Sequence, residues 1–290
     1  LIAIPTGVKI FNWIATMWGG SLRFKMPLYF AVGFIAMFII GGLSGVMNSS
    51  AAADLQQTDS YFVVAHIHYV LFGGVIFALF SGIYYWFPKI TGKMLSEGIG
   101  KAHFWLMIIS FNLTFFPQHY LGMHGMPRRT FTYQEGLGFE AMNLMSTIGS
   151  LVLGFSILIF LWNVFHSLRK GELAGPDPWG GATLEWAIDS PPPHYNFRVE
   201  PTVHSRDPLW AEGGLDVDVN DPTAPEPHMP SPSLWPCILA FGLVLAAIGA
   251  VAKTLLVVLL GAGVVVVAIY GWAFQPLSGS DSTERTSGNT

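Results

Sequence analysis

The sequence has few charged residues and a single cysteine, Cys237. One cysteine excludes a framework of disulfide bonds within the chain. Charged residues make up only 11% of the sequence, and they form no basic stripe of the kind that binds nucleic acid. No N-terminal signal peptide is evident, and the first residue is Leu1 rather than methionine. We therefore expect no nucleic-acid partner, and we expect the chain to be a piece of a longer protein.

Most of the remaining sequence is apolar. Apolar residue types make up 52% of the chain, and they gather in runs that are long enough to cross a bilayer. This predicts an all-α, polytopic bundle of transmembrane helices with about seven membrane segments. The segments are predicted at 1–18, which is a partial span, at 27–47, 61–87, 103–123 and 141–165, and at two more positions in a tight hairpin within 234–274.

Lysine and arginine residues predict the orientation of the bundle. If the spans alternate, most basic residues fall on one side, which the positive-inside rule makes the cytoplasmic side. The loops 48–60 and 122–140 are then predicted outside. The residues on the basic side are Arg23, Lys25, Lys89, Lys93, Lys101, Arg169, Lys170, Arg198 and Arg206.

Composition divides the chain into four predicted parts. Residues 1–170 form the main helical bundle. Residues 171–233 are rich in proline, glycine and acidic residues, which predicts an extended cytoplasmic linker. Residues 234–276 form an extra transmembrane hairpin, and residues 277–290 form a disordered tail.

Two histidines, His66 and His68, lie two positions apart inside the predicted span 61–87, in YFVVAHIHYVLFGG. Successive residues of an α-helix are about 100° apart, so residues two apart point to nearly opposite faces. The two imidazoles are therefore poorly placed to bind one metal, but each can bind a different metal. The alternative is a pair of polar residues that bond to neighbouring helices. Because ionisable groups at membrane depth are functional candidates, we interpret the pair as ligands of two redox centres.

A lysine, Lys9, lies within the first apolar stretch, three residues after Thr6. An ammonium group is costly in hydrocarbon, so Lys9 should face the bundle interior or a water-filled cavity. Thr6 and Lys9 share a helix face, which makes them candidates for the start of a proton path. The alternative is that Lys9 extends to the nearby cytoplasmic boundary of the membrane.

Two arginines, Arg128 and Arg129, lie on the predicted outer side, against the charge bias. A planar guanidinium suits a carboxylate, so we expect an anionic partner, either the carboxylates of a porphyrin or lipid phosphates. Asp54 and Asp59 precede the histidine helix on the same side. They are candidates for a hard-metal ligand or a partner of a propionic acid, with ordinary loop carboxylates as the alternative.

Four more histidines lie near the ends of predicted spans, where interfacial histidines are ordinary. We do not expect them to bind metals. They are His103, His119, His124 and His166.

Five sequence blocks then point to a family. AIPTGVKIFNW, GGLSGVMNSS, DSYFVVAHIHYVLFGG, WFPKITGK and NLTFFPQHYLGMHGMPRR occur in this order. Together they closely resemble the second half of subunit I of haem-copper terminal oxidases of the cytochrome c oxidase type. The resemblance covers about residues 1–170. It implies a fragment of the twelve-helix subunit I, followed here by a two-helix C-terminal extension.

The resemblance implies roles for residues within the membrane. His66 matches the axial ligand of the high-spin haem, and His68 matches one axial ligand of the low-spin haem. Thr6 and Lys9 match a proton channel that enters from the cytoplasmic side. The family often has phenylalanine between the two histidines, where this chain has Ile67.

The resemblance also implies roles for residues on the outer side. Arg128, Arg129 and Asp54 match residues that contact the haem propionates. Asp59 matches an aspartate that helps to bind a magnesium ion. The family often has histidine just before that aspartate, where this chain has Thr58, so the magnesium ligands would differ.

The function that the resemblance implies is respiratory. The whole enzyme would reduce O2 to water with electrons from cytochrome c, with two haems and a copper ion, CuB, whose ligands lie upstream of Leu1. Its partners would be subunit II, subunit III and membrane lipid, in a bacterial or archaeal plasma membrane. A quinol-oxidising relative is the alternative, since the donor depends largely on subunit II. Thr6 and Lys9 argue against a nitric oxide reductase. An alternative of another class is a non-redox transporter or a structural bundle.

Overall fold

The computed structural model describes residues 1–227, 229 and 232–275 of the chain. Within these residues the secondary structure is helical, with no β-strand. The α-helices are α1 (Ala3–Met17), α2 (Met26–Asn48), α3 (Ala51–Gln57), α4 (Tyr61–Val70), α5 (Phe77–Thr91), α6 (Glu97–Met123), α7 (Glu140–Lys170), α8 (Pro208–Ala211), α9 (Trp235–Val251) and α10 (Leu255–Ala273). A π-helix, Leu71–Ile76, joins α4 to α5 without a break, and Leu184–Trp186 forms a 3₁₀ turn.

Five helices within the described residues are long and apolar enough to cross a membrane: α2, the continuous helix Tyr61–Thr91, α6, α7 and α10. The predicted all-α transmembrane fold is confirmed, and the chain is an integral membrane protein. The observed helices extend past the predicted spans, because charged residues such as Glu97 and Lys101 continue the helix beyond its apolar part.

The two other predicted spans form shorter helices. Helix α1 has 15 residues, which at about 1.5 Å per residue is shorter than the roughly 30 Å of hydrocarbon in a bilayer. Helix α9 has 17 residues and is apolar throughout. Five of the roughly seven predicted membrane segments are thus long enough to cross a bilayer, and the other two, including the opening partial span, form the shorter helices α1 and α9.

The chain divides into two compact units. The first comprises Leu1–Pro193 and Val203–Leu215, and the second comprises His194–Thr202 and the chain from Asp216 onward. In the second unit, α9 packs on α10, and a Cβ at Gly249 would lie 2.6 Å from Val258 N. The four predicted sequence domains stay a prediction, and the tail at 277–290 lies outside the described residues.

The core of the first unit is built largely from aromatic rings. Phe30 of α2 is fully buried, and its ring centroid lies 5.5 Å from that of Tyr84 and 5.1 Å from that of Phe104. These contacts join α2, α5 and α6 around one ring. His103 is also fully buried here, and its Nδ1 lies 3.2 Å from the Tyr84 hydroxyl. This histidine is therefore buried in the core, in the second turn of α6.

The segment that follows α7 packs on the end of α5 through a buried lysine. Lys89 is only 5% exposed, and its Nζ donates to Ile188 O at 2.7 Å and to Pro176 O at 2.9 Å. The same Nζ lies 5.2 Å from the ring centroid of Trp186, a cation–π distance. Trp179 stacks on Tyr85 and donates to its carbonyl at 2.9 Å. These contacts hold residues 171–193 against the helix that carries His66 and His68.

Candidate functional site

The two histidines of α4 contact different neighbouring helices. The His66 ring lies against α2, with Nδ1 2.9 Å from Gly41 O and 3.1 Å from Ser44 Oγ. The His68 ring stacks on Phe115 of α6, with centroids 4.1 Å apart and planes 12° apart. Its Nδ1 lies 2.7 Å from Val64 O, one turn earlier in the same helix. The two rings therefore project to two sides of the helix, as the two-residue spacing predicts.

The hydrogen bonds of both rings determine which nitrogen is free. A main-chain carbonyl can only accept, so Nδ1 of His66 and Nδ1 of His68 must each carry a proton and donate it. In a neutral imidazole the other nitrogen, Nε2, then carries the lone pair that binds a metal. A histidine that donates Nδ1–H to a carbonyl is the usual arrangement of a metal ligand. Nε2 of each ring is thus left to bind a metal.

Two glycines of α2 make room for α4: Gly45 for the His66 ring and Gly41 for the backbone. A Cβ at Gly45 would lie 2.8 Å from His66 Cε1, and a Cβ at Gly41 would lie 2.9 Å from the Tyr69 carbonyl carbon. Neither distance is compatible with an ordinary contact, so both positions require glycine for the observed packing. Gly42, on another face of α2, has no atom within 4 Å of a Cβ. Small residues spaced four apart are typical of close helix pairs in membranes.

A π-helical turn follows the histidines directly. It covers Leu71–Ile76 and includes Gly73 and Gly74, which are both buried. A Cβ at Gly73 would lie 2.8 Å from Met37 Cβ, so α2 and the π-turn approach closely. π-turns occur frequently at functional sites. Sequence reasoning missed this turn, and the paired glycines after an apolar run were the only available signal.

Tyr69 is a second feature that sequence reasoning missed. It follows His68, is fully buried, and donates its hydroxyl to Asn112 Oδ1 at 2.6 Å. Its ring centroid lies 5.4 Å from that of His119. Tyr69 therefore joins the histidine helix to α6 on a face between the two histidine rings. A lone tyrosine in an apolar run gave no signal for this role.

Two of the residues that were predicted on the outer side, Asp59 and Arg128, form an ion pair. Arg128 Nη2 contacts Asp59 Oδ1, and Arg128 N donates to Asp59 O at 2.8 Å. Asp59 and Arg129 both have left-handed backbones, with φ of 56° and 64°. The structure thus brings Asp59 and Arg128 together, whereas the resemblance gives them different partners. Arg129 is exposed, and Asp54 lies half-buried in the first turn of α3.

No cluster of three or more histidine, cysteine, aspartate or glutamate side chains suited to a metal occurs in the described residues. The magnesium role of Asp59 stays a prediction, as do the propionate roles of Arg128, Arg129 and Asp54.

Thr6 and Lys9 lie on α1, which packs on α2 through Trp13 and Phe34. The Thr6 hydroxyl donates to Ile2 O at 2.9 Å, and Lys9 is exposed. Only Ile10 is buried in this helix. The structure does not bring Thr6 or Lys9 to the histidines, and their proton-channel role stays a prediction.

Comparison with known proteins identifies the family. A family model described as "Cytochrome C and Quinol oxidase polypeptide I" matches residues 1–152. The chain belongs to this family. The matched residues include every predicted site residue, from Thr6 to Arg129. The predicted membership is therefore confirmed.

Relatives within the family carry related names. Cytochrome c oxidase subunit 1 of Bacillus sp. (strain PS3) is 53% identical over 252 residues, which is 86% of this chain and 41% of that protein. The Bacillus subtilis protein of the same name is 49% identical over 251 residues, 86% of this chain and 40% of that protein. The probable cytochrome c oxidase subunit 1-beta of Nocardia farcinica is 54% identical over 212 residues, 72% of this chain and 36% of that protein.

The chain thus spans about two fifths of the length of the first two relatives. Among solved structures, the chain is similar to one described as a cryo-EM structure of a heme-copper terminal oxidase dimer. That chain has 21% identity and a TM-score of 0.43, and the match covers 50% of this chain and 26% of that one.

Proposed function

We propose that this chain is part of the catalytic subunit of a respiratory terminal oxidase. The complete enzyme reduces O2 to water with electrons from cytochrome c and couples this reaction to proton translocation. The observation that carries the proposal is the pair of rings on α4. His66 and His68 project to two sides of one membrane helix, and each donates Nδ1–H to a carbonyl, which leaves Nε2 for an iron.

In this proposal, each histidine holds its own haem. His66 would hold the high-spin haem, and Ser44 and Gly41 hold its ring in place. His68 would hold the low-spin haem, and the Phe115 ring limits its rotation. The haems supply the electron transfer and the oxygen chemistry, while the protein sets ligation, electrostatics and access.

The remaining site residues bind anionic groups or transfer protons in this proposal. Arg128, Arg129 and Asp54 contact haem propionates, since guanidinium groups pair well with carboxylates. Asp59 holds Arg128 in place, and a magnesium ion is its alternative partner. Thr6 and Lys9 deliver protons from the cytoplasmic side.

The assembly that this proposal requires is larger than the chain. The ligands of CuB would come from residues upstream of Leu1. Subunit II would deliver electrons from cytochrome c, and subunit III and lipid would surround the bundle. The protein would lie in a bacterial plasma membrane, which its named bacterial relatives support.

The test is spectroscopy and turnover of the complete oxidase that contains this chain. We expect a low-spin haem band in the reduced enzyme, a second haem that binds carbon monoxide, and oxygen consumption with reduced cytochrome c. Oxygen consumption with quinol alone would instead support a quinol oxidase, which the family description also names. A purified complete protein without any haem band would contradict the proposal and favour a transporter or structural bundle.

A further inference from the structure

A cavity of about 350 Å³ lies where three membrane-spanning helices end. Helix α2 begins beside it at Met26, α6 begins at Glu97, and α7 ends at Lys170. The cavity takes no part in the function proposed above. Its lining residues include Lys25, Ser96, Glu97, His166, Lys170 and Glu172.

The lining carries charges of both signs. Lys25 and Lys170 contribute positive charge, and Glu97 and Glu172 contribute negative charge. These four charged groups form no ion pair with one another. In the part of the chain that the structure describes, the ion pairs are Arg128–Asp59 and Arg198–Glu226. One oxygen of Glu97 accepts from Met26 N at 3.3 Å. The cavity therefore suits a ligand that itself carries both charges.

A polar atom in the lining lacks a partner. Nδ1 of His166 is buried and has no hydrogen-bond partner in the structure. This nitrogen is not accessible in the observed ring position, so a ligand in the cavity can bond to it only if the imidazole ring turns, and that bond would offset the cost of the unpaired nitrogen. An anionic oxygen in the cavity would supply that bond and would also satisfy Lys25 and Lys170.

An exposed apolar stripe leads along α7 to this cavity. Its four side chains are spaced four, three and four residues apart, which keeps them on one helix face. The next position on this face, one turn further, is His166. More than half of each side chain is exposed in this chain, so the stripe can contact the acyl chains of a lipid. The stripe consists of Leu151, Phe155, Leu158 and Trp162.

We propose that the cavity binds the headgroup of a zwitterionic phospholipid that carries a primary amine. Its phosphate contacts Lys25, Lys170 and His166, and its ammonium group contacts Glu97 and Glu172. Its acyl chains follow the stripe on α7. A choline headgroup fits less well because its nitrogen has no N–H to donate, and an anionic headgroup lacks a partner for the two carboxylates.

The experiment measures lipid binding to the native complex that contains this chain, delipidated in mild detergent. The probes are dioctanoyl phosphatidylethanolamine, dioctanoyl phosphatidylcholine, dioctanoyl phosphatidylglycerol and phosphoethanolamine without chains. Native mass spectrometry gives the bound fraction at each concentration. We expect the phosphatidylethanolamine to bind most tightly, and phosphoethanolamine to bind much more weakly.

Variants locate the site. Lys170→Gln should weaken the binding of phosphatidylethanolamine by roughly fivefold, the size expected for one surface charge contact. Lys101→Gln is the matched control, because Lys101 is an exposed lysine at the same end of α6 that does not line the cavity. Glu172→Gln should weaken phosphatidylethanolamine but not phosphatidylglycerol, and this exposed substitution poses little risk to folding.

Four results would overturn the proposal. The first is equal affinity for the three lipids. The second is unchanged affinity in both Lys170→Gln and Glu172→Gln. The third is phosphoethanolamine binding as tightly as the lipid, which would indicate a soluble ligand. The fourth is no lipid binding at all in the native complex, which would indicate that another subunit covers the stripe.

Discussion

Arg128 and Asp59 are joined twice, once through their side chains and once through their backbones, where Arg128 N donates to Asp59 O at 2.8 Å. The backbone bond links the loop after α6 to the turn before the histidine helix. The Arg128 guanidinium is therefore held near the start of α4. Any anion that Arg128 binds must share this guanidinium with Asp59.

Replacing each histidine separately should remove one haem at a time. His68→Ala in the complete oxidase should abolish the low-spin haem band and leave the high-spin haem, because the rings project to two sides of α4. His66→Ala should do the reverse and abolish carbon monoxide binding. Absorption spectra of the reduced enzyme measure both. Ile67→Ala, between them, should leave both spectra unchanged. Loss of both haems in either single variant of a folded protein would contradict separate ligation.

Gly45→Ala should disturb the high-spin haem alone. The added Cβ would lie 2.8 Å from His66 Cε1, so the ring must move from its bond to Gly41 O. We expect weaker carbon monoxide binding and an unchanged low-spin band. Gly42→Ala is the matched control, since its Cβ meets nothing within 4 Å. Equal spectra for the two variants would show that α2 does not position His66.

The charges of Arg128 and Asp59 should each shift the midpoint potentials of the haems. Arg128→Gln leaves a net negative charge and should lower the midpoint potentials by tens of millivolts, on the order expected for one partly screened charge. Asp59→Asn should raise them, and the double variant should return close to the original values. Asp59→Glu keeps the charge and serves as the control. Redox titrations that show no change in either single variant would mean that the pair lies far from a haem.

Lys9→Met should slow oxygen consumption by roughly tenfold or more while haem content stays normal, because methionine keeps the bulk but carries no proton. Lys9→Arg separates charge from proton transfer, since arginine keeps the charge but does not release its proton near neutral pH. Lys101→Met is the control for loss of another exposed lysine. Normal turnover in Lys9→Arg, together with slow turnover in Lys9→Met, would indicate that Lys9 acts through its charge. Unchanged turnover in Lys9→Met would indicate that Lys9 lies at the membrane boundary.

Lys89→Met should loosen residues 171–193. The substitution removes the donor to the carbonyls of Pro176 and Ile188, at a cost of about 1–3 kcal/mol for buried groups left without partners. Limited proteolysis should then cut this segment faster. Lys93→Met is the matched control, because Lys93 Nζ donates to the single carbonyl of Leu168 in an exposed position. Equal cleavage rates in the two variants would show that Lys89 does not hold the segment.

The features that the sequence predicted well are local. The opposite projection of His66 and His68 follows from the helical repeat alone, and the structure has it. The long apolar helices likewise follow from composition over one segment. The family resemblance was also confirmed, because several blocks matched in order along the chain.

The features that the sequence did not reveal depend on distant residues. Lys89 was counted among the basic residues that predict the orientation of the bundle. In the structure it is buried, and its Nζ donates to carbonyls about a hundred positions later in the chain. The partner of Asp59 lies in another loop and was not evident from spacing. Hydrophobic periodicity cannot report such contacts, because it describes one element at a time.

The π-turn at Leu71–Ile76 divides the histidine helix into two halves of different phase. Such a turn holds one more residue than an α-helical turn, and one residue corresponds to a rotation of about 100°. Side chains of α5, such as Tyr84 and Lys89, therefore face directions that cannot be counted from His66 along an uninterrupted α-helix. A helical wheel drawn through the whole span would therefore rotate the side chains of α5 away from their true directions relative to the histidines. The direction of each side chain has to be counted within its own half of the helix, from the histidines before the turn and from the buried aromatic rings after it.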